Sequence, residues 1–258
     1  MDADVDAVVE LLVRRRAMLA ALREGPSTKR ELETTLDVSR STVDRAVRQL
    51  EGVDLVRREH GAIALTLPGR LVHDGLAEFV AGFEGVQRAS TMLADLDADV
   101  SVPFALFPDA MVIEATKASP HLPVVALRQF LDDARTVESV ATALHPDYVD
   151  AYRDIVVEQG TEAEIVVQTG VLDELLATYW QPVEEALDTG RVTFYETDAE
   201  SVVSLKIAET DTEEVAILVY GDRGVEGFVR SDNRRAVEWA REEYERIREG
   251  AQLVAPTG

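Results

Sequence analysis

In the first part of the chain, apolar side chains recur at three- and four-residue steps, which is the spacing of one face of an α-helix. Three such stretches, separated by turn and capping residues, predict helices over 5–23, 28–36 and 40–51. Two short apolar–polar runs then flank His60-Gly61, which predicts a β-hairpin. Three helices followed by a hairpin form the element order of a winged helix-turn-helix.

A longer amphipathic stretch follows over residues 71–96. Its apolar positions include Leu76, Phe79, Val80 and Phe83, again at three- and four-residue steps. This pattern predicts one long helix. The stripe is typical of a linker helix that forms a dimer seam, but it equally fits a helix that packs on its own chain, and both interpretations stay open.

From about residue 100 the pattern changes to alternating strands and helices, which predicts an α/β sheet domain. The predicted strands are SVPFALF, PVVAL, TVESVAT, AEIVVQ, RVTFYE, VVSLKIA, VAILVYG and VEGFVRS. The predicted helices cover residues 127–135, 146–159, 170–188 and 232–249. The last three strands follow one another directly and predict a meander with a turn at residues 221–224.

The predicted fold class is therefore a two-domain α+β/α/β chain. We predict a winged helix-turn-helix domain at residues 1–70, a linker or dimerisation helix at 71–98, and a C-terminal α/β sensor-like sheet domain at 99–258. A length of 258 residues is natural for two domains. No apolar run is long enough to span a membrane, and the acidic first residues do not resemble a secretory signal, so we expect a cytoplasmic protein.

The charge of the chain is unusual in amount and in placement. There are 49 acidic and 26 basic residues, with a net charge of −23, and only three of the basic residues are lysine. This composition is typical of proteins from extreme halophiles, in which molar salt screens repulsion between carboxylates. Residues 1–70 hold 12 acidic and 12 basic side chains, so all of the net negative charge lies in 71–258.

The third predicted helix carries the candidate DNA-binding residues. Its apolar positions must face the first two helices, which leaves a polar face for the major groove, where the N-terminal residues of such a helix contact base edges. Arg45 is suited to bidentate pairing with guanine, and Arg48, one turn further on, to a phosphate contact. The candidate residues on the helix and at the hairpin are Arg40, Ser41, Thr42, Arg45, Arg48, Gln49, Arg57 and Arg58. Asp44 and Glu51 on the same helix count against this hypothesis, because both would repel phosphate.

The sequence does not favour an enzyme. The four histidines lack the spacing of a metal-binding helix, and cysteine is absent, which excludes thiolate ligands, a cysteine nucleophile and disulfides. No nucleophile elbow, P-loop or dinucleotide-binding pattern occurs. A sheet domain of this kind could resemble a phospholipase in fold, but the chain has no His-x-Lys pair. We therefore expect no catalytic residues, no metal and no cofactor.

Residues 27–70, which read STKRELETTLDVSRSTVDRAVRQLEGVDLVRREHGAIALTLPGR, resemble archaeal winged-helix transcriptional regulators. Two further segments, HPDYVDAYRDIVVEQGTEAEIVV and VAILVYGDRGVEGFVRSDNRRAVEWAREEYERIREGA, are similar to the effector half of archaeal regulators of the methanogenesis-regulator (FilR) type. The resemblance implies a sensing domain for a small molecule joined to a DNA-binding module. It implies neither the ligand nor the residues that bind it.

From the residues and the resemblance together we expect a cytoplasmic, homodimeric regulator that binds double-stranded promoter DNA and responds to a small-molecule effector, without a membrane partner. The alternative is an oligomeric protein-interaction module whose winged helix binds protein. The neutral charge of residues 1–70 keeps this alternative open.

Overall fold

The structure is a computed structural model that describes residues 4–94, 96–97, 100–199, 203–221 and 224–254. The chain divides into two compact units, Met1–Val80 and Ala81–Gly258. The described part contains no helix that is both long enough and apolar enough to cross a membrane.

The first unit begins with three helices, α1 (Val5–Arg23), α2 (Lys29–Leu36) and α3 (Arg40–Glu51), as predicted. The capping box of α2 is present in full. Thr28 Oγ1 accepts from the backbone N–H of Glu31, whose carboxylate in turn accepts from the N–H of Thr28. Ser39 caps α3 by accepting from the N–H of Thr42. These local hydrogen bonds explain why the sequence located the start of both helices correctly.

Strands β1 (Val56–Glu59) and β2 (Ala62–Leu65) form the predicted antiparallel hairpin. His60 and Gly61 both have positive φ angles, of 50° and 86°, as the central residues of a type I′ turn require. The core of this unit lies between the three helices and the hairpin. It is built from apolar side chains that include Leu19, Leu32, Val47, Leu50 and Ile63.

The next helix, α4 (Leu67–Arg88), begins four residues before the predicted start at residue 71. Thr66 explains the difference, because its hydroxyl accepts from the N–H of Gly69 at 3.0 Å and so caps the helix. Pro68 lies in the first turn, where its missing N–H costs nothing. The short helix α5 (Ser90–Leu93) follows. The domain boundaries at 70/71 and 98/99 stay predictions, and residues 98 and 99 lie outside the described residues.

The second unit continues with these elements: β3 (Met111–Glu114), α6 (Leu122–Leu131), β4 (Thr136–Ala141), α7 (Pro146–Asp154), β5 (Glu162–Gln168), α8 (Thr169–Thr178), α9 (Trp180–Asp188), β6 (Val192–Thr197), β7 (Val203–Glu209), β8 (Glu213–Gly221), β9 (Gly224–Ser231), α10 (Arg234–Glu249) and β10 (Gln252–Leu253). In the described residues, eight strands form one mixed sheet in the order β10-β6-β5-β4-β7-β8-β9-β3. β4, β5 and β6 are parallel, and the other neighbours are antiparallel.

Both faces of this sheet are covered. On one face, side chains of α6, α7, α8 and α9 pack in a core that includes Leu127, Phe130 and Ile165. On the other face, α10 and the segment after α5 pack in a second core that includes Leu106, Ile217 and Ala240. The middle of the central strands β4 and β7 is therefore buried on both sides, and the polar side chains of Ser139, Ser204 and Lys206 are buried there.

Two predicted strands are wrong. Residues 101–107 form a 3₁₀ turn at Phe104–Leu106, which follows Pro103, a residue that has no N–H for a sheet ladder. Residues 123–127 lie in α6, with Pro123 in its first turn. A short apolar run does not distinguish a buried strand from a buried helix, because both hide every side chain.

Strands β3 and β10 were not predicted, and several predicted helices end at other residues than expected. The predicted helix over 127–135 ends at Leu131, and that over 170–188 is interrupted at Tyr179 between α8 and α9. The helix over 146–159 ends at Gly160 as predicted, but its last residues, Ile155–Gln159, form a π-helical turn. The predicted meander is formed by β7, β8 and β9, and two residues of its turn, 222 and 223, lie outside the described residues.

Candidate functional site

Helix α3 buries one face and exposes the other. Val43, Ala46, Val47 and Leu50 are fully buried. The predicted DNA-binding side chains of Arg40, Ser41, Thr42, Arg45 and Arg48 are all exposed on the opposite side. The structure therefore brings these five residues together on one surface.

The start of this surface is ordered by a small hydroxyl cluster. Ser39 Oγ lies 2.9 Å from Ser41 Oγ and 2.9 Å from Thr42 Oγ1. Because one cap residue contacts both neighbours, the hydroxyls of Ser41 and Thr42 are positioned at the exposed N-terminus of α3. A helix N-terminus with free N–H groups and aligned hydroxyls suits contact with an anion.

Gln49 is placed apart from the other candidates. It is half-buried, and its Oε1 accepts from Arg15 of α1 through Nε at 3.2 Å and Nη2 at 2.8 Å. This bond joins α3 to α1. The amide of Gln49 is thus occupied within the protein.

The two acidic residues of α3 are neutralised by cations of the same unit. Asp44 forms an ion pair with Lys29 of α2. Glu51 accepts from Arg58 of β1 through two bonds of 2.8 and 3.0 Å. Hydrogen bonding to these cations lowers the pKa of both carboxyls below its ordinary value. The repulsion of phosphate that the sequence suggested is therefore offset locally.

The arginines of the hairpin are exposed but paired. Arg57 contacts Glu59 at 3.0 Å along β1, and Arg58 contacts Glu51. Arg40 and Arg45 differ, since neither forms an ion pair among the described residues. Arg40 and Arg45 can therefore bind an anion without first breaking an ion pair, whereas Arg57 and Arg58 cannot.

The second unit contains a cavity with about 80 Å³ of free volume between the sheet and helices α7, α8 and α9. Most of its wall is apolar, with Val167, Leu175, Val183 and Phe194 among the lining side chains. Such a cavity, with a few polar groups at defined positions, is the usual form of a small-molecule site.

Lys206 supplies a buried ammonium group to this cavity. Lys206 lies on β7 with only 3% of its surface exposed, and its Nζ donates to the carbonyl oxygen of Val140 at 3.2 Å. None of its contacts among the described residues is an ion pair. Burial disfavours the charged form and lowers the pKa of Lys206 from 10.5 to about 7.

Three tyrosines surround the same space. Tyr152 donates to Ser139 Oγ at 2.9 Å. The hydroxyl of Tyr148 is buried and makes no hydrogen bond of acceptable geometry with any described residue, although Tyr220 is close enough to affect its pKa. Burial raises the pKa of Tyr148, Tyr152 and Tyr220, so all three hydroxyls are neutral donors near pH 7.

Sequence reasoning missed this polar group, and the pattern of β7 explains why. Ser204 and Lys206 alternate with Val203, Leu205 and Ile207, which is the pattern of a strand with one face in water. Only the position of β7 beside β4, under a layer of helices, encloses that polar face. One signal was available, since Lys206 is one of only three lysines in the sequence.

Comparison with known protein families identifies the second unit. Residues 120–250 match the family described as methanogenesis regulatory protein FilR1, middle domain. The match covers half of the chain, and the chain belongs to this family. Residues 3–88 match a second family, described as the HVO_A0261 N-terminal domain. No curated protein matches the chain.

Several solved structures are similar at low identity. TrmBL2, described as an archaeal chromatin protein with a novel mode of DNA binding, is 19% identical with a TM-score of 0.43, over 96% of this chain and 99% of that one. The phospholipase D family member Nuc from Salmonella typhimurium is 12% identical with a TM-score of 0.43, over 57% of this chain and 97% of that one. NucT from Helicobacter pylori is 12% identical with a TM-score of 0.42, over 57% and 99%. At such TM-scores we draw nothing about function from these three structures.

Proposed function

We propose that this chain is an archaeal DNA-binding transcription regulator in which the second unit binds a small effector. The observation that carries the proposal is the exposed face of α3. It presents Arg40, Arg45 and Arg48 together, while both carboxylates of the helix are paired with cations. The family of the second unit, whose description names a regulatory protein, supports the same assignment.

In this proposal the first unit is a winged helix-turn-helix. α2 and α3 form the helix-turn-helix, α3 enters the major groove, and the hairpin is the wing. Arg45 lies one turn into α3 and contacts a base edge, whereas Arg58 on the hairpin contacts the DNA backbone. The composition further supports a halophilic source and a cytoplasmic location, and the regulator acts by binding and not by catalysis.

The regulator is proposed to act as a homodimer through α4. Leu67 and Leu71, one helical turn apart, have 61% and 65% of their surface exposed. Of the stripe predicted from the sequence, Leu76 packs against the core of the first unit, whereas Phe79 and Phe83 are exposed like Leu67 and Leu71. A second copy of the chain is the partner that would place two copies of α3 on a palindromic site.

The proposal is tested by competition binding to promoter DNA at molar KCl. A base-edge contact is worth about 1–3 kcal/mol of discrimination, whereas a phosphate contact gives none. Arg45→Ala is therefore expected to relax preference at one base position, and Arg58→Ala to weaken binding to all sequences alike.

An exposed arginine outside the surface, Arg234 on α10, provides the matched control. Arg234→Ala should leave DNA affinity unchanged. If the wild-type chain binds no DNA at any salt concentration, the regulator assignment fails and the protein-interaction alternative is favoured. If Arg45→Ala and Arg58→Ala act identically on every operator variant, the two roles are assigned wrongly.

A further inference from the structure

We propose that the cavity of the second unit binds a small monocarboxylic acid, with the carboxylate paired to the ammonium of Lys206 and the apolar body against helices α7, α8 and α9. This inference rests on the proposed function, since it names the class of effector. The charge, the hydrogen-bond donors and the size of the cavity each favour such a ligand.

The charge of the lining favours an anion over a cation. The chain has 49 acidic residues, yet none of the described residues that line this cavity is an aspartate or a glutamate. The cationic lining residues are Lys206 and Arg153. Arg153 is already matched by Glu185 and Glu158, both at 2.8 Å. Lys206 contacts a backbone carbonyl and no carboxylate, so it is the cation that lacks a counter-charge.

The polar groups of the cavity offer more hydrogen-bond donors than the protein's own acceptors use. The Lys206 ammonium has three N–H donors, and Val140 accepts one of them. The buried hydroxyl of Tyr148 has the hydroxyl of Tyr220 as its polar neighbour and makes no hydrogen bond of good geometry with any described residue, so it can still donate to a ligand. A buried donor with unused hydrogen-bonding capacity is costly, so a cavity that holds two groups of this kind suits a ligand with acceptor oxygens. A carboxylate offers about four acceptor sites and can satisfy both groups at once.

The volume sets the size of the acid. One water molecule occupies roughly 10–15 Å³ of free cavity volume. A cavity of about 80 Å³ therefore has room for on the order of five to eight water-sized groups, that is, for a ligand of about that many non-hydrogen atoms. A dicarboxylate would bring a second charge into a lining that is mostly apolar and whose other cation, Arg153, is already paired with Glu158 and Glu185. The fit is to a short, branched or straight monocarboxylate.

Binding of such an acid must be accompanied by proton uptake. Near neutral pH the empty cavity holds Lys206 partly as the neutral amine, because its pKa is lowered to about 7. An anion beside it favours the ammonium form. The other titratable and charged groups that line the cavity are Tyr148, Tyr152, Tyr220 and Arg153, and burial or ion pairing raises the pKa of each. Lys206 is therefore the group that takes up the proton.

Isothermal titration calorimetry of the full chain at molar KCl tests the inference, with isovalerate as the probe and the isosteric isovaleramide as its neutral control. Isovalerate is expected to bind, and to take up close to one proton at about pH 8.5 when buffers of different ionisation enthalpy are compared. Lys206→Met gives an unbranched side chain of similar length and removes its charge. It should weaken isovalerate binding by roughly thirtyfold or more and leave isovaleramide unaffected.

Lys117→Met removes an exposed lysine that does not line the cavity, and it should bind isovalerate as the wild type does. Equal affinity for isovalerate and isovaleramide, or isovalerate binding that survives Lys206→Met, would overturn the inference. So would the failure of every monocarboxylate of four to six carbons (a range set by the volume argument, roughly five to eight non-hydrogen atoms) to bind. DNA affinity is measured separately, with and without isovalerate. Binding of the acid without a change in DNA affinity supports the ligand class and refutes only the coupling in the proposed function.

Discussion

Replacing Lys206 with methionine is expected to stabilise the second unit, and the gain should depend on pH. The structure buries this ammonium in an apolar cavity with one carbonyl oxygen as its partner. Methionine has a similar length, carries no charge and leaves no cavity of appreciable size. The comparison therefore isolates the cost of burying the charge.

The magnitude follows from the pKa. In the unfolded chain the lysine keeps its ordinary pKa of 10.5, whereas burial lowers the pKa in the folded chain to about 7. At about 1.4 kcal/mol per pKa unit, the difference corresponds to about 5 kcal/mol. Between these two pKa values the unfolded chain binds more protons than the folded chain, so wild-type stability rises with pH. The full cost is present below about pH 7 and disappears near the unfolded pKa.

The free energy of unfolding of the variant minus that of the wild type should accordingly be about 4 kcal/mol at about pH 6, after subtracting about 1 kcal/mol for the lost hydrogen bond to Val140. It should then fall by about 1.4 kcal/mol per pH unit above about pH 7. All other titrating groups are common to both proteins and cancel in the difference.

Urea unfolding followed by tryptophan fluorescence measures this difference. Both tryptophans of the chain, Trp180 and Trp239, lie in the second unit, so their emission reports that unit and not the first. Lys117→Met, on the exposed surface, is the control and should change stability little at any pH. A variant-minus-wild-type difference that is constant from about pH 6 to 9, or a variant less stable than the wild type throughout, would refute the reasoning.

Three other predictions concern stability and assembly. Tyr148→Phe removes a buried hydroxyl that makes no hydrogen bond of good geometry among the described residues, although it lies beside Tyr220, and should stabilise the second unit by about 1 kcal/mol in the same urea assay because a desolvated hydroxyl is lost. Lowering KCl from about 1 M to about 0.01 M lengthens the Debye length from about 3 to 30 Å, so the carboxylates of residues 71–258, which carry the whole net charge, repel one another more strongly. The urea midpoint reported by tryptophan fluorescence should therefore fall, and an unchanged midpoint would contradict the halophilic interpretation. Leu67→Glu/Leu71→Glu should convert a dimer to a monomer in light scattering, whereas Val5→Glu on the exposed face of α1 should not; the reverse result would move the interface to α1.

The first unit could be read almost completely from the sequence, because its boundaries are set by local chemistry. The capping box at Thr28, the cap at Ser39 and the His60-Gly61 turn each depend on residues within four positions of one another. Signals of that kind are visible in a linear sequence. The exposed face of α3 followed from the same local periodicity.

The second unit was predicted less well, because its boundaries depend on contacts between distant segments. β3 is an edge strand that exists by pairing with β9, more than a hundred residues later. Residues 123–127 form helix instead of strand, and Val124, Ala126 and Leu127 pack in a core with side chains of distant strands while Val125 stays exposed. The cavity depends on the same long-range order, since Lys206 is enclosed only when β7 pairs with β4.

The ion pairs of α3 change how DNA affinity should depend on salt. Most DNA-binding proteins gain affinity because counterions leave the DNA phosphates and enter solution. The logarithm of their association constant therefore falls, as the logarithm of the salt concentration rises, with a slope of about 0.9 for each phosphate neutralised. Lys29 and Arg58 already hold Asp44 and Glu51 at close range. The chain thus supplies its own counterions, and a phosphate that approaches Arg58 must compete with a carboxylate that cannot diffuse away. In the proposed DNA complex, such a surface should therefore attract nucleic acid weakly at low salt and lose little affinity as salt rises, which would leave selectivity to the groups at the start of α3.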